Sequence, residues 1–304
     1  MTAAERIKSK LRLPAIAAPM FLVSGPDLVI AACRAGIIGS FPANNARTIE
    51  TLEEWFDRIG KALPAGWPWA VNIMVHRTYS RTQEELELAV KYRVPIVITA
   101  LGSPATIVER VHSYGGIVLA DVNSIMFARK AAAAGVDGLV LVAAGAGGHT
   151  GLISGFAFVP AVREFFQGIV VLGGAIGTGH AIRAAELLGA DFAYLGTRFI
   201  ASTESMAPAA YKQMLIDSNA EDIILSASIT GVPANWLRAS LVEAGLDPQN
   251  MPEKQAMNLG RPEESAKKRW KDVWSAGQGV GAIRQIEPAG AIVEKLISEY
   301  QAAR

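Results

Sequence analysis

Short apolar runs recur along the chain. Each is followed by a polar or glycine turn, an amphipathic segment and a further glycine. The runs at 15–20, 37–41, 69–74, 96–100, 117–122, 138–142, 169–172 and 192–195 read as strands bounded by turn residues. Helices are expected between them. Ser24 is placed to cap the first, with Pro26 in its first turn, Asp27 favourable to the dipole and Gly36 past its end. The second starts near Thr51, with Glu54 completing a capping box. The third covers Thr82 to Tyr92 and is stopped by Pro95. Ser103-Pro104 opens the fourth and Gly115 closes it. The fifth runs from Asn123 or Ser124 to Ala134, and the sixth ends near Phe166. Thr178 caps the seventh, whose Ile182, Ala185 and Leu188 share one face. Eight alternating strand–helix units imply a parallel sheet, and this α/β pattern suits a closed (β/α)8 TIM barrel. A doubly wound open sheet is the alternative, but no G-x-G-x-x-G follows the first strand.

The pattern changes from Glu204 to Trp274, where tryptophans and methionines stand among helix formers. This predicts a TIM barrel from residues 1–204 and 275–304, with a small helical insert or lid over 205–274 between strand eight and the last helix. The closing amphipathic helix is expected from Glu287 to Tyr300, after the glycine-rich loop Ser275–Gly281.

Composition narrows the function classes. The 304 residues are 51% hydrophobic, enough for one large core. With 29 basic and 28 acidic residues and no basic patch, nucleic acid is not an expected partner. Cys33, the single cysteine, excludes an internal disulfide and a cysteine metal cluster, and no metal is expected. Residues 1–6 lack an apolar signal core and no apolar run spans a bilayer, so a cytoplasmic enzyme without membrane contact is expected.

Candidate chemistry gathers where barrels of this kind keep it, at the C-terminal strand ends. The sixth strand runs into Ala143-Ala144-Gly145-Ala146-Gly147-Gly148-His149-Thr150-Gly151. Such a loop lets backbone approach a flat or phosphorylated ligand, and histidine transfers protons near neutral pH. On that stretch alone, a surface turn with an incidental histidine reads equally well. Pro19, Met20, Asn72, His76, Thr99 and Asp121 fall on the same face. Gly173-Gly174 and Gly196-Thr197 follow strands seven and eight, where this fold binds phosphate through backbone N–H groups. Asn72 and Thr99 read as structural about as readily. His76 reads as solvated as readily as reaching the mouth, His180 reads as a surface residue near the expected phosphate, His112 suits a helix C-terminus, and Cys33 reads as core.

Together these motifs resemble the nitronate monooxygenase family, formerly 2-nitropropane dioxygenases, a group of FMN-dependent barrels that also includes enoyl-acyl-carrier-protein reductases and an NADH:quinone reductase. The matching pieces are Ala18-Pro19-Met20, Val71-Asn72-Ile73-Met74, Ala146–Gly151, Leu172–Ile176, Gly196–Phe199 with Glu204-Ser205, and Ala276-Gly277-Gln278-Gly279. The resemblance implies FMN over the strand ends, with its phosphate at Gly173, Gly174, Gly196 and Thr197. Asn72 and the backbone around Met20 contact its ring, and Gln278-Gly279 close over it. Pro19, Thr99, Asp121, Gly147 and Gly148 complete the expected cofactor surround. His149 matches the family's active-site histidine. The implied reaction is oxidation of alkyl nitronates, and of neutral nitroalkanes, by dioxygen to a carbonyl compound and nitrite. The alternatives are an NAD(P)H-dependent FMN reductase acting on a quinone or enoyl thioester, a flavin-binding protein without turnover, and a non-redox phosphate-binding isomerase. The expected partners are the small-molecule substrate and dioxygen, with a homodimer left open. One departure stands out: some relatives carry a lysine where strand five ends here in Asp121, and a carboxylate would not stabilise a reduced flavin as that cation could.

Overall fold

The structure is a computed structural model that describes residues 1–252 and 271–303. The elements in chain order are α1 (Ala3–Lys8), β1 (Ala15–Ala17), α2 (Pro26–Ala35), β2 (Ile38–Pro42), α3 (Ile49–Ala62), β3 (Ala70–Met74), α4 (Thr82–Lys91), β4 (Ile96–Ala100), α5 (Ala105–His112), β5 (Ile117–Val122), α6 (Ile125–Ala133), β6 (Gly138–Val142), β7 (Gly148–His149), α7 (Gly155–Arg163), β8 (Ile169–Gly173), α8 (Gly179–Leu187), β9 (Phe192–Leu195), α9 (Thr197–Ile200), α10 (Ala209–Ile216), β10 (Ile223–Ser226), β11 (Ala234–Leu237), α11 (Arg238–Glu243) and α12 (Ala289–Ala302). Strands β1-β2-β3-β4-β5-β6-β8-β9 form a closed parallel barrel. It is sealed by β1 against β9, with Ile16 opposite Tyr194 and Ala17 opposite Leu195. The expected (β/α)8 architecture is the one observed.

Side chains alternate across each strand, and the barrel uses both faces. Ile16, Ile38, Ala70, Ile96, Ile98, Leu119, Val140, Ile169, Val171 and Phe192 fill the interior as one apolar cluster. Ala4 and Ile7 of α1 belong to the same cluster, so this short helix plugs one end of the barrel. Outward residues such as Val71, Val97, Val118, Leu139 and Val170 pack under the helices. Each fully buried Val, Leu or Ile contributes about 1.5–3 kcal/mol. On the other flank, α12 packs with α2, α8 and β1, through Ala289, Ile292, Val293 and Leu296.

Several local expectations need correction. Ser24 does not cap α2: Gly25 occupies that position without a side-chain bond. The Ser24 hydroxyl instead serves the loop after β1, accepting from Met20 N at 3.0 Å and donating to Ala18 O at 3.3 Å. Helix α3 begins at Ile49 because Thr48 supplies the cap, accepting from Thr51 N. Helix α12 begins at Ala289, since Pro288 takes the extended conformation of a capping residue.

After the barrel, α10 and α11 supply helices in the expected insert. Between them, β10 and β11 form an antiparallel pair, and β11 pairs in turn with β7. Trp236, wholly buried with Ala234, Leu241 and Val273, anchors this small sheet. Residues 253–270 of the expected insert lie outside the described residues.

Candidate active site

The inner wall of the barrel turns polar at its C-terminal end. Asn72, Asp121 and Tyr194 have the same parity as Ala70, Leu119 and Phe192, which line the apolar interior one step below. Asn72 is buried on β3. Burial pushes the Asp121 carboxyl up to about 7, because a charge there has lost its water. Burial and then the Asp121 charge push the Tyr194 phenol well above its usual range. Both Asp121 Oδ1 and Tyr194 Oη are buried with no hydrogen-bond partner among the described residues. Gly173 makes room for this arrangement: a Cβ there would stand 3.2 Å from Tyr194 Cδ1. Thr99 has the opposite parity. It is buried, and its hydroxyl donates to Leu119 O at 3.3 Å, so the structure does not bring that side chain into the mouth.

Loops build the rim. Pro19 and Met20 lie partly exposed after β1, in a turn that Asn45 ties down. Its amide donates to Met20 O at 2.9 Å and Ser24 O at 2.8 Å, and its carbonyl accepts from Leu22 N at 2.8 Å. Met20 Sδ would be 3.5 Å from a Cβ at Gly196, so the loops after the first and last barrel strands are neighbours. Gly174 (φ 132°) and Ala175 (φ 56°) turn the chain sharply after β8.

The late glycine-rich loop does reach this rim. Gly277 N donates to Thr197 Oγ1 at 2.8 Å, and Gln278 N donates to Gly145 O at 2.9 Å. The approach is as close as backbone allows. A Cβ on Gly147 would meet Gly277 N at 2.8 Å, and one on Gly145 would meet Gln278 Oε1 at 2.7 Å. Gly279 lies against the loop after β8, where a Cβ on Gly177 would meet Gly279 O at 2.7 Å. Glycine is therefore required here for contact between loops.

His149 projects from the same loop, half-buried. Strand β11 holds it in place: Ala234 is opposite His149 and Asn235 opposite Gly148. Asn235 Nδ2 donates to Ala146 O at 2.7 Å, and Thr150 N to Pro233 O at 3.0 Å. Thr150 Oγ1 also donates to Ala143 O at 3.1 Å. The structure thus gathers His149, Gly147, Gly148, Asn72, Asp121, Gly173, Gly174, Gly196, Thr197, Gln278 and Gly279 at one end of the barrel.

Of the other histidines, His76 stands in the loop after β3, at the same end of the barrel. His76 Nδ1 lies 2.8 Å from Thr78 Oγ1, His112 Nε2 lies 2.8 Å from Asp137 Oδ2, and His180 is exposed on α8. Cys33 is buried, and its thiol is pushed up to about 12 by that burial. A depression of about 660 Å³ between α2, α3 and residues 203–206 contains none of the predicted site residues. Sequence reading missed Asn45, Tyr194 and Asn235. Only Tyr194 had a signal, its alternation with Phe192 on β9.

The inner wall of the mouth suits a ligand with polar edges. Gly145, Gly147, Gly174 and Gly277 let the rim loops close on one another, since a Cβ on each would strike a neighbouring loop. Unpaired polar atoms on Asp121 and Tyr194 await a polar ligand from within.

The nitronate monooxygenase family model matches residues 41–299. A putative monooxygenase, Rv1533, of Mycobacterium tuberculosis is 30% identical over 72% of this chain and 62% of its own. The (3aS,4S,5R,7aS)-5-hydroxy-7a-methyl-1-oxo-octahydro-1H-indene-4-carboxyl-CoA dehydrogenase of the same organism is 28% identical over 76% of this chain and 64% of its own. The chain thus spans under two thirds of the length of both relatives. The crystal structure of nitroalkane oxidase from Streptomyces ansochromogenes superposes with a TM-score of 0.79 at 26% identity, covering 98% of each chain. With a matching family model over most of its length and a barrel that superposes on a nitroalkane oxidase, the chain belongs to the nitronate monooxygenase family of flavin-dependent oxidoreductases.

Proposed function

We propose that this protein binds FMN at the barrel mouth and oxidises alkyl nitronates with dioxygen to a carbonyl compound and nitrite. The observation that carries this reading is the position of His149 on the glycine-rich loop after β6, strapped by β11. FMN, when bound, supplies the electron acceptor. The backbone at Gly173, Gly174, Gly196 and Thr197 would hold its phosphate. Asn72, Asp121 and the loop at Pro19 and Met20 would border its ring, and Gly147, Gly148, Gln278 and Gly279 would cover it. Thr99 would support this floor from behind through Leu119. The His149 imidazole holds the anionic nitro group of a nitronate, and takes the α-proton when the substrate is a neutral nitroalkane. The clasp between the 145–147 and 277–279 loops keeps water from the reacting face.

In this reading the barrel, 1–204 with 275–304, binds the cofactor, and 205–274 acts as a lid unit in a cytoplasmic enzyme. A second reading is oxidation or reduction of a thioester-linked substrate, favoured by the relative named for a carboxyl-CoA dehydrogenase. Anaerobic mixing with ethyl nitronate and with NADH, followed by flavin absorbance near about 450 nm, decides between them. Bleaching by the nitronate, with nitrite formed in air, is expected. Bleaching by NADH with no nitrite from the nitronate would overturn the first reading.

A further inference from the structure

Two acids in the mouth have no assigned task. Asp121 ends β5 and Tyr194 lies on β9, and both turn into the barrel. They stand close enough for the Asp121 charge to act on the Tyr194 phenol. Each carries a buried oxygen with no hydrogen-bond partner among the described residues. Leaving one such atom unpaired costs about 1–3 kcal/mol, so two facing one space need a common reason.

We propose that Asp121 and Tyr194 form a two-donor hole that holds the negative charge of the reduced flavin ring. The proposal rests on FMN binding at this mouth. A ring that takes up two electrons and one proton carries one negative charge, spread over its conjugated atoms. An ionised Asp121 would repel that charge. A protonated carboxyl and a phenol donate hydrogen bonds to it, and hydrogen bonds to an ion are about twice as strong as neutral ones. An apolar setting keeps a carboxylic acid neutral near pH 7, and its pairing with a phenol around an oxyanion has precedent in enzymes.

The surroundings here keep Asp121 protonated below about pH 7. From the flanking strands, Ile98 and Ala100 of β4 and Val140 and Val142 of β6 bring no charge. Across the floor stand Asn72, which is neutral, and Tyr194. His149 stands on the rim, on the loop after β6. The hole accounts for the departure at this position: a neutral donor replaces a cation. It also makes the charge-holding power of the mouth depend on pH, since Asp121 loses its proton near neutrality.

Sulfite tests this directly. It adds to oxidised flavin, bleaches it, and leaves the ring negatively charged, so its dissociation constant reports how well the mouth holds that charge. FMN-loaded protein is titrated with sulfite at pH 6 and pH 8.5, with Asp121→Asn, Asp121→Leu and Tyr194→Phe alongside. Asp121→Leu and Tyr194→Phe are each expected to weaken sulfite about tenfold or more at pH 6. Asp121→Asn keeps a donor and should stay within about threefold of the parent at pH 6. Between pH 6 and 8.5 the parent should lose about tenfold more affinity than Asp121→Asn, which cannot ionise. Equal affinities across the variants with FMN bound would overturn the hole, as would an unchanged pH response in Asp121→Asn. A protein that quenches no FMN fluorescence ends the flavin reading itself, a distinct result.

Discussion

Gly147→Ala tests the clasp at the mouth. The added Cβ would stand 2.8 Å from Gly277 N, 3.0 Å from Ala276 C and 3.2 Å from Thr197 Oγ1. Two of these are backbone atoms that cannot rotate away, so the loops must part. Parting them breaks the Gly277 N to Thr197 Oγ1 bond, and strains the Gln278 N to Gly145 O bond. Each bond contributes about 1 kcal/mol net, and overpacking costs about 1–3 kcal/mol. The clasp thus weakens by about 2–4 kcal/mol. Every 1.4 kcal/mol is tenfold in affinity, so FMN binding should fall about 30- to 700-fold. Quenching of FMN fluorescence measures this, and circular dichroism checks that the barrel persists, since Gly147 is exposed and outside the barrel wall. FMN binding within threefold of the parent, in a folded variant, would refute the idea that loop contact builds the cofactor site.

His149→Asn should retain FMN and lose about 10²–10⁴-fold in turnover. A base role predicts a larger loss with nitroethane than with ethyl nitronate, and unchanged turnover with both removes His149 from the mechanism. Asn235→Ala removes the donor to Ala146 O and should raise KM several-fold while leaving thermal stability within about 1–2 kcal/mol; an unchanged KM would show that the strap does not position the loop. Glu85 is wholly buried, and desolvation first of all pushes its carboxyl up to about 7, against the bond from Tyr79 and the charge of Arg81. Between about pH 4.5 and 7 the native state therefore binds more protons than the unfolded state, and stability falls as pH rises through that window. Glu85→Gln should gain about 2–3 kcal/mol on the parent from pH 4.5 to 7 in urea melts, and a difference independent of pH would contradict this.

Residue pattern reveals the barrel well because each strand of a parallel barrel is apolar on both faces and each turn is local. The glycines at 173–174 and 196 were readable for the same reason, since their place after a strand is a property of the nearby chain. Thr99 misled because strand-end position was read without parity, and one residue's shift turns a side chain from mouth to helix layer. Asn45 and Asn235 carried no signal: each satisfies backbone groups 21 to 25 and 89 residues away, respectively, pairings that only the folded chain defines. Strands β10 and β11 were invisible because each has four residues and finds its partner elsewhere in the chain, β10 on β11 and β11 also on β7. Ser24 looked like a helix cap because serine suits that role, and the competing demand of Met20 N, four residues earlier, comes from the shape of the loop after β1.

The strap from β11 to β7 sets an order of assembly. A nascent chain complete through β9 already owns all eight staves of the barrel, His149 included. Its histidine loop still lacks the edge strand that aligns it, which is made some 85 residues later. The glycine clasp waits longer still, for residues 277–279. Ribosomes emit about 5–20 residues per second, so all eight strands are made several seconds before the mouth can be finished. Only α12, which covers the β1–β9 seam, is made after both strap and clasp.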